Sequence, residues 1–411
     1  MAGKKLDISV AQQALNARNR AATLNEAAAL LGIPLRTLEN RLTEAKRMKL
    51  VPGSDLGDPN SPLALRTQIA RLNAELAVAS RSSAEAADIK RVIDTISLAV
   101  DELDVPEWLV ASPRASTTDG VPTLMLSDWH GGEVVVPSQI NNVNEYNVKI
   151  MRERAVTLID SAVHLLKIID PKMRYPGIVL PLGGDMVSGN IHDELTATNE
   201  IQSMPAVLEL YEILASIIEK VASIFGKVFV PCVGGNHGRN TVKTWHKDRQ
   251  HTSFDWLIYQ FLARRFASDK RVTFYIPQST GAYYKIYGHR YWLVHGDGFR
   301  GGDGMIGCLG PIIRGDHKMR SRNAQIDQPY DTMILGHFHQ YLHHGRVIVN
   351  GSLKGYDEYA FDAGFSFEQP QQALWLTHPK YGITYRMPVY VDRKRAPAKT
   401  EWVSVPQGSR G

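Results

Sequence analysis

The sequence predicts an α/β protein behind a small all-α N-terminal domain, and three observations carry this. From about Leu124 onward, short apolar strand candidates alternate with long helical patterns, the signature of an α/β sheet. Residues 23–50 show instead two short helical patterns joined at Gly32 and no strand. The length of 411 residues fits two or three domains with a sizeable core. With 44% hydrophobic and 22% charged residues, the composition excludes wholly disordered, collagen-like and disulfide-scaffold classes.

The net charge is +5, and residues 1–50 hold nine Lys/Arg against four Asp/Glu, so the whole excess is N-terminal. Such a basic end suits a polyanion-binding appendage, since Lys and Arg release counterions on meeting phosphates. Within it, Thr23 and Glu26 form a capping box that opens a helix running to Leu31, and Gly32 ends it. A second helix starts near Pro34 and carries Leu35, Leu38, Leu42 and Ala45 on one face. The string LLGIPLRTLENRL resembles the helix-turn-helix of Fis-type and enhancer-binding bacterial regulators, with Ala28, Gly32, Ile33, Thr37, Leu38 and Leu42 at matching places. That resemblance implies DNA as partner, a bacterial or phage origin, and a second helix offering Arg36, Asn40, Thr43 and Arg47 to a major groove. A helical hairpin that binds protein is the plainer alternative. The helix-turn-helix domain is expected over residues 1–51.

Residues 52–62, rich in Pro, Gly, Asp and Ser, mark a linker. Over 63–104, Leu65, Ile69, Leu72 and Leu76 are spaced as in a heptad seam, and Ile89, Val92, Ile96 and Val100 form a second periodic stretch. This segment reads as a helical arm, or as a hairpin that makes a homodimer through residues 63–103, with a helix packed on the C-terminal body as the alternative. Residues 394–411 read as a polar tail. No secretory or membrane-spanning apolar run occurs, so no membrane partner and a cytoplasmic location are expected. Cys232 and Cys308 are too few for a disulfide framework and lack metal-site spacing, so both are expected reduced, with Cys232 in the core.

In the α/β part, strands are expected at 123–126, 177–182, 227–233, 272–276, 282–287, 291–294, 332–335, 347–349, 373–376 and 383–391, with helices at 146–169 and 206–225. Several strand candidates end in metal-ligand residue types. The first runs into Ser127-Asp128-Trp129-His130 and the second into Gly183-Gly184-Asp185. The third ends in Gly234-Gly235-Asn236-His237-Gly238, and the later ones in His295-Gly296-Asp297 and Gly336-His337-Phe338-His339. Strand ends of an open α/β sheet lie along one edge, so residues far apart in sequence can meet there. Imidazole, carboxylate and one amide, without thiolate, suit Mn²⁺, Mg²⁺, Fe or Zn²⁺. Seven ligands exceed the needs of one ion, and a shared carboxylate would hold two.

In this order and on strand ends, Asp-x-His, Gly-Asp, Gly-Asn-His, His and Gly-His-x-His resemble the calcineurin-like metallophosphoesterase superfamily over residues 121–393. The resemblance implies a two-sheet α/β sandwich flanked by helices and two divalent metal ions, Mn²⁺ first. It places Asp128, His130 and His339 on the first ion, Asn236, His295 and His337 on the second, and Asp185 between them. His237 would face the scissile phosphate as general acid or transition-state stabiliser. Two departures stand out. Gly238 replaces the acidic residue that in many members orients this histidine, leaving Asp255, Asp297 or a backbone carbonyl to hold His237. The segment from Met186 to Asn190 lacks the arginine of the protein Ser/Thr phosphatase signature, which disfavours that activity.

The implied chemistry is phosphoester hydrolysis, with a DNA phosphodiester, cut by an exonuclease or endonuclease, as the leading substrate. A nucleotide or small-molecule phosphodiesterase or phosphatase is the alternative, and a DNA-binding regulator with a structural phosphoesterase fold is a further one. His192, Arg239 and Arg300 are candidates for the substrate phosphate. Lys243, Lys247 and the Gly-rich stretch from Gly298 to Arg322, with Arg314, Lys318, Arg320 and Arg322, could track a phosphodiester backbone. His343 and His344 are expected on the surface of a hairpin.

Overall fold

Thr23, as expected, opens a helix in the computed structural model, which describes residues 8–48, 50, 106–110, 120–299 and 307–392. The expected linker at 52–62, the arm at 63–104, the tail at 394–411 and Arg300 lie outside the described residues. The chain divides into two units, Met1–Val92 and Ile93–Gly411.

The first unit contains α1 (Ile8–Arg20), α2 (Leu24–Leu30) and α3 (Leu35–Arg47). Thr23 Oγ1 accepts from the Glu26 amide at 3.2 Å, and the Glu26 carboxylate accepts from the Ala22 amide at 3.0 Å. The return bond thus lands one residue before the amide that a standard capping box uses. Gly32, at φ +61°, turns the chain between α2 and α3. Ala14, Ala21, Ala27, Ala28 and Leu38 form the core, with Leu31, Ile33 and Leu42 packed against it. Of the expected face on α3, Leu38 and Ala45 are fully buried, but Leu35 is 38% exposed. As the first residue of its helix it lies at the open end of the apolar stripe. Helix α1 is an element the sequence pattern did not announce.

The second unit is a two-sheet α/β sandwich flanked by helices. One sheet has the order β11-β10-β1-β2-β3-β4, built from β1 (Val121–Leu124), β2 (Ile178–Val179), β3 (Val228–Pro231), β4 (Val272–Tyr275), β10 (Gln371–His378) and β11 (Gly382–Tyr390). Strands β1 to β4 run parallel, and β10 and β11 join antiparallel. The other sheet has the order β5-β6-β7-β9-β8, from β5 (Gly281–Ile286), β6 (His289–Val294), β7 (Thr332–Leu335), β8 (Leu342–His344) and β9 (Val347–Val349). The two sheets face each other across one core: Val121, Val179 and Phe229 of the first meet Tyr284, Tyr291, Leu293, Ile334 and Ile348 of the second. Alternation along β6 explains the layering. Tyr291 and Leu293 point into that core, whereas Trp292 and Val294 point outward to a second cluster with Ile312.

Long helices accompany the first sheet: α4 (Val148–Ile169), α5 (Ser203–Phe225) and α6 (Phe254–Arg265). Asn147 caps α4 by accepting from the Ile150 amide at 2.9 Å. Helix α7 (Leu309–Gln325) covers the outer face of the second sheet. Of the Gly-rich stretch from Gly298 to Arg322, the part from residue 309 onward is helical. Arg320 is held by Asp316 at 2.8 Å and donates to the Tyr330 carbonyl, while Arg322 lies over the Trp292 ring and donates to Asn323. These guanidiniums help pack the helix onto its sheet. His344 is exposed on the expected hairpin, but His343 is half-buried there. Cys232 is buried, as expected. Among the described residues, no helix is long and apolar enough to cross a membrane.

Candidate metal centre

The loops leaving β1, β2 and β3 run side by side before they diverge, bridged at Leu126 with Leu182, Leu182 with Cys232, and Gly131 with Val187. This carries Asp128, His130, Asp185 and Asn236 to one edge. The second sheet contributes His295 just past β6, and His337 and His339 just past β7. Three groups of side chains then have ligand atoms within 4.8 Å of one another: Asp128, His130 and His339; His130, Asp185 and His237; and Asp185, His295 and His337.

Five of these residues hold backbone conformations that side chains rarely adopt. Asp128 (φ 57°), His130 (49°), Asp185 (51°), His337 (69°) and His339 (54°) all lie in the left-handed region. Each such residue costs of order 1 kcal/mol or more and persists only where its surroundings fix it, typically at functional sites. Two glycines make the crowding possible. A Cβ on Gly235 would collide with Asp185 Oδ1, and one on Gly336 with Asp128 Oδ2.

The donor atoms converge as acceptors. His295 Nδ1 faces the Gly183 carbonyl at 2.8 Å, so that nitrogen carries hydrogen. Its Nε2 lies 3.1 Å from Asn236 Oδ1 and 2.9 Å from Asp185 Oδ2, the latter out of line for a hydrogen bond. His130 Nε2 and His339 Nε2 stand 3.0 Å apart, and His339 Nε2 is 3.5 Å from Asp128 Oδ1. Burial alone would lower the basicity of His295, but Asp185 and then Asp128 reverse this and raise its pKa to about 10. Burial lowers His130 and His337 to about 4, with neighbouring cations adding to the effect. Burial also opposes the charge on Asp185, yet His295 and His237 hold it well below the ordinary carboxylate range. Two buried carboxylates meet imidazoles of which His130 and His337 are neutral, while His295 holds a proton that an entering cation would displace. The described residues therefore fit divalent cations of nitrogen- and oxygen-binding preference.

Gly238 leaves His237 without an acidic neighbour in sequence, and the fold answers which group replaces it. His237 Nδ1 lies 3.0 Å from the Ser188 carbonyl, and the His237 amide donates to Asp185 Oδ1 at 2.7 Å. A carbonyl only accepts, so Nδ1 bears hydrogen and Nε2 is turned elsewhere. Asp255 is occupied by the amides of Asp185, Met186, Val187 and Gly235, and Asp297 by Arg249 at 2.8 Å. Asp255 thus pins the two ligand loops together. Burial and the nearby Asp185 raise its pKa to about 6.

Behind His130 lies a buried set of charges that the sequence reading missed. Lys354 pairs with Glu133 at 2.7 Å and Asp357 at 2.5 Å, and Glu133 Oε2 lies 3.3 Å from His130 Nδ1. Glu133 Oε2 also accepts from Ser188 Oγ at 3.3 Å. An acid orienting a ligating imidazole is the usual outer layer of a metal site. The only sequence signal was the spacing His130 to Glu133, too short to separate from a turn.

Not every expected site residue joins this centre. His192 comes near, its ring centroid 6.3 Å from that of His237. Arg239 lines a pocket with Gly235 and Asn236, but its guanidinium donates to the Asn236 and Thr241 carbonyls. In the first unit, Arg36, Asn40, Thr43 and Arg47 are exposed on α3, as expected, although Arg47 is bound to Glu44 and Thr43 donates to the Glu39 carbonyl.

No protein-family model matches the chain, and no curated protein does. Among solved structures, a conserved uncharacterized protein (predicted phosphoesterase) from Streptococcus pneumoniae is 7% identical, over 66% of this chain and 99% of that one, with a TM-score of 0.25. Vps29 from Entamoeba histolytica is 12% identical over 65% of this chain and 99% of that one, with a TM-score of 0.24. Likenesses this distant carry no functional conclusion, which rests instead on the side chains gathered at the strand ends.

Proposed function

We propose that the protein is a two-metal phosphoester hydrolase whose substrate is a DNA phosphodiester. One observation carries the reading: Asp185 belongs at once to a group with His130 and His237 and to a group with His295 and His337. In this reading Asp128, His130 and His339 hold one ion, Asn236, His295 and His337 the other, and Asp185 serves both. Two divalent cations there would activate water and offset charge on a phosphoryl group, with Mn²⁺ the first choice for this donor set and Mg²⁺, Fe or Zn²⁺ alternatives.

His237 supplies the proton chemistry. Burial lowers its pKa, so the imidazole is neutral until an anion arrives. A phosphate facing Nε2 favours the imidazolium, which then donates to the departing oxygen while Nδ1 stays bound to Ser188. His192 is close enough to share in binding the phosphate. DNA is favoured by exposed Arg36 and Asn40 on the second helix of a helix-turn-helix-like pair.

The test is turnover with Mn²⁺ or Mg²⁺ on linear duplex, single-stranded and circular DNA, free nucleotides and a generic phosphodiester. His237→Ala should lower the rate about 10²- to 10⁴-fold with metal content retained, whereas Asp185→Asn should lose both. Preference for free nucleotides would shift the substrate to small phosphodiesters. Absence of any phosphoester hydrolysis by protein shown by elemental analysis to hold metal would overturn the reading.

A further inference from the structure

The loop between β3 and α6 begins with the candidate ligand Asn236 and does something besides holding it. Its base is fixed by a bridge between Arg239 and Ser253, by the Asn240 amide donating to the Thr252 carbonyl at 2.8 Å, and by Phe254 donating to Gly238 at 2.7 Å. Arg239 braces it further through the Asn236 and Thr241 carbonyls. On this rigid base the loop lines a pocket whose wall runs from Gly235 and Asn236 through Arg239 and Thr244 to Trp245 and Arg249.

Trp245 is the unusual member. It is 55% exposed, whereas Trp129, Trp256, Trp292 and Trp375 are all buried. No ring stacks on it among the described residues. Val242 beside it is 91% exposed. Around this apolar tip, residues 239–249 carry Arg239, Lys243, Lys247 and Arg249 against Asp248 alone. Lys243 and Lys247 are exposed and have no ion pair among the described residues. An indole that lines a pocket with the candidate ligand Asn236, and exposed ammonium groups on the same braced loop, match a chain that alternates flat rings with phosphates.

We infer that Trp245 is a stacking platform for an unpaired nucleobase of the substrate, with Lys243 and Lys247 on the adjoining phosphates. This deepens the reading of the metal centre as a DNA phosphodiesterase and rests on it. A base inside a duplex presents no free face, so the platform selects single strands or unpaired ends.

Two measurements on the full-length chain separate the subsite from the catalytic reading. The first is anisotropy of a labelled single-stranded oligonucleotide in EDTA, comparing an intact strand with one made abasic along its length. The wild type should favour the intact strand about tenfold, the order of one base–aromatic stack. In Trp245→Ala that ratio should collapse toward one, and Trp245→Phe should keep most of it. The second is the same ratio in KM with Mn²⁺ present. An intact-to-abasic ratio equal in wild type and Trp245→Ala would overturn the inference, whatever the turnover. A Trp245-dependent ratio in protein that hydrolyses no phosphoester would uphold the subsite and overturn the enzyme.

Discussion

His237 donates Nδ1–H to the Ser188 carbonyl, and the Ser188 hydroxyl lies between two acceptors, Asn199 Oδ1 at 3.1 Å and Glu133 Oε2 at 3.3 Å, the latter also facing His130. One buried carboxylate thus stands against a candidate ligand and within reach of the residue whose carbonyl holds His237. Glu133→Gln keeps the shape but removes the charge, and should weaken metal affinity about 10- to 100-fold, read by calorimetric titration. Lys354 would then be left with Asp357 alone. His295 makes a pH prediction. In the metal-free protein its pKa is raised to about 10, so a metal must displace a proton from Nε2 throughout the neutral range. Affinity should therefore rise with pH between 6 and 9, by about tenfold per unit for one released proton. The linkage to folding runs the other way. That proton's stabilisation is fullest below the unfolded pKa of about 6.5 and is lost as pH rises through about 10. The strand-end motifs, through the family they resemble, pointed to seven candidate ligands and to His237. The sequence left three choices for the group holding His237, because a backbone carbonyl carries no residue identity, and it hid the buried set of Glu133, Lys354 and Asp357, because Lys354 meets Glu133 from 221 positions away.

At the level of elements, parallel strands β1, β2 and β3 deliver their following loops to one edge, and small residues let those loops touch. Gly235→Ala would put a methyl against Asp185 Oδ1. The substitution should abolish metal binding while circular dichroism keeps the wild-type helix and strand content. Gly336→Ala, against Asp128 Oδ2, should do the same from the second sheet, and retained affinity in either variant would contradict the geometry. Strands β7 and β9 were legible to the residue, because β-branched and apolar runs bounded by polar turns leave little ambiguity. Helix α1 was not, since its inward face is Ala11, Ala14 and Ala17, and alanine gives a weak hydrophobic period. Helix α7 was hidden too. Its glycines Gly310 and Gly315 and its run of basic residues read as a loop, whereas the contact of Gly315 with Phe299 shows why a small residue stands there.

For the whole molecule, the candidate ligands come from both sheets, so ion binding should stabilise the second unit as one piece. At a hundredfold excess over Kd a single ion adds about 2.7 kcal/mol. Chelation should accordingly lower the melting transition of that unit in differential scanning calorimetry. The ion should leave untouched a transition belonging to α1 to α3, whose core is alanine and leucine without ligand residues. A uniform shift of both transitions would argue against a site confined to the strand ends. The chain by itself determined the alternation of strand and helix, the capped helix at Thr23 and the order of ligand residue types, because periodicity, caps and side-chain chemistry are local properties. Only the tertiary structure decided that Asp185 stands in two groups of candidate ligands, that the Ser188 carbonyl faces His237, that Arg320 and Arg322 make packing contacts, and that Trp245 is exposed in a pocket it lines with Asn236. Those outcomes depend on which distant segments meet, and on which charges are thereby satisfied before solvent or a ligand can reach them.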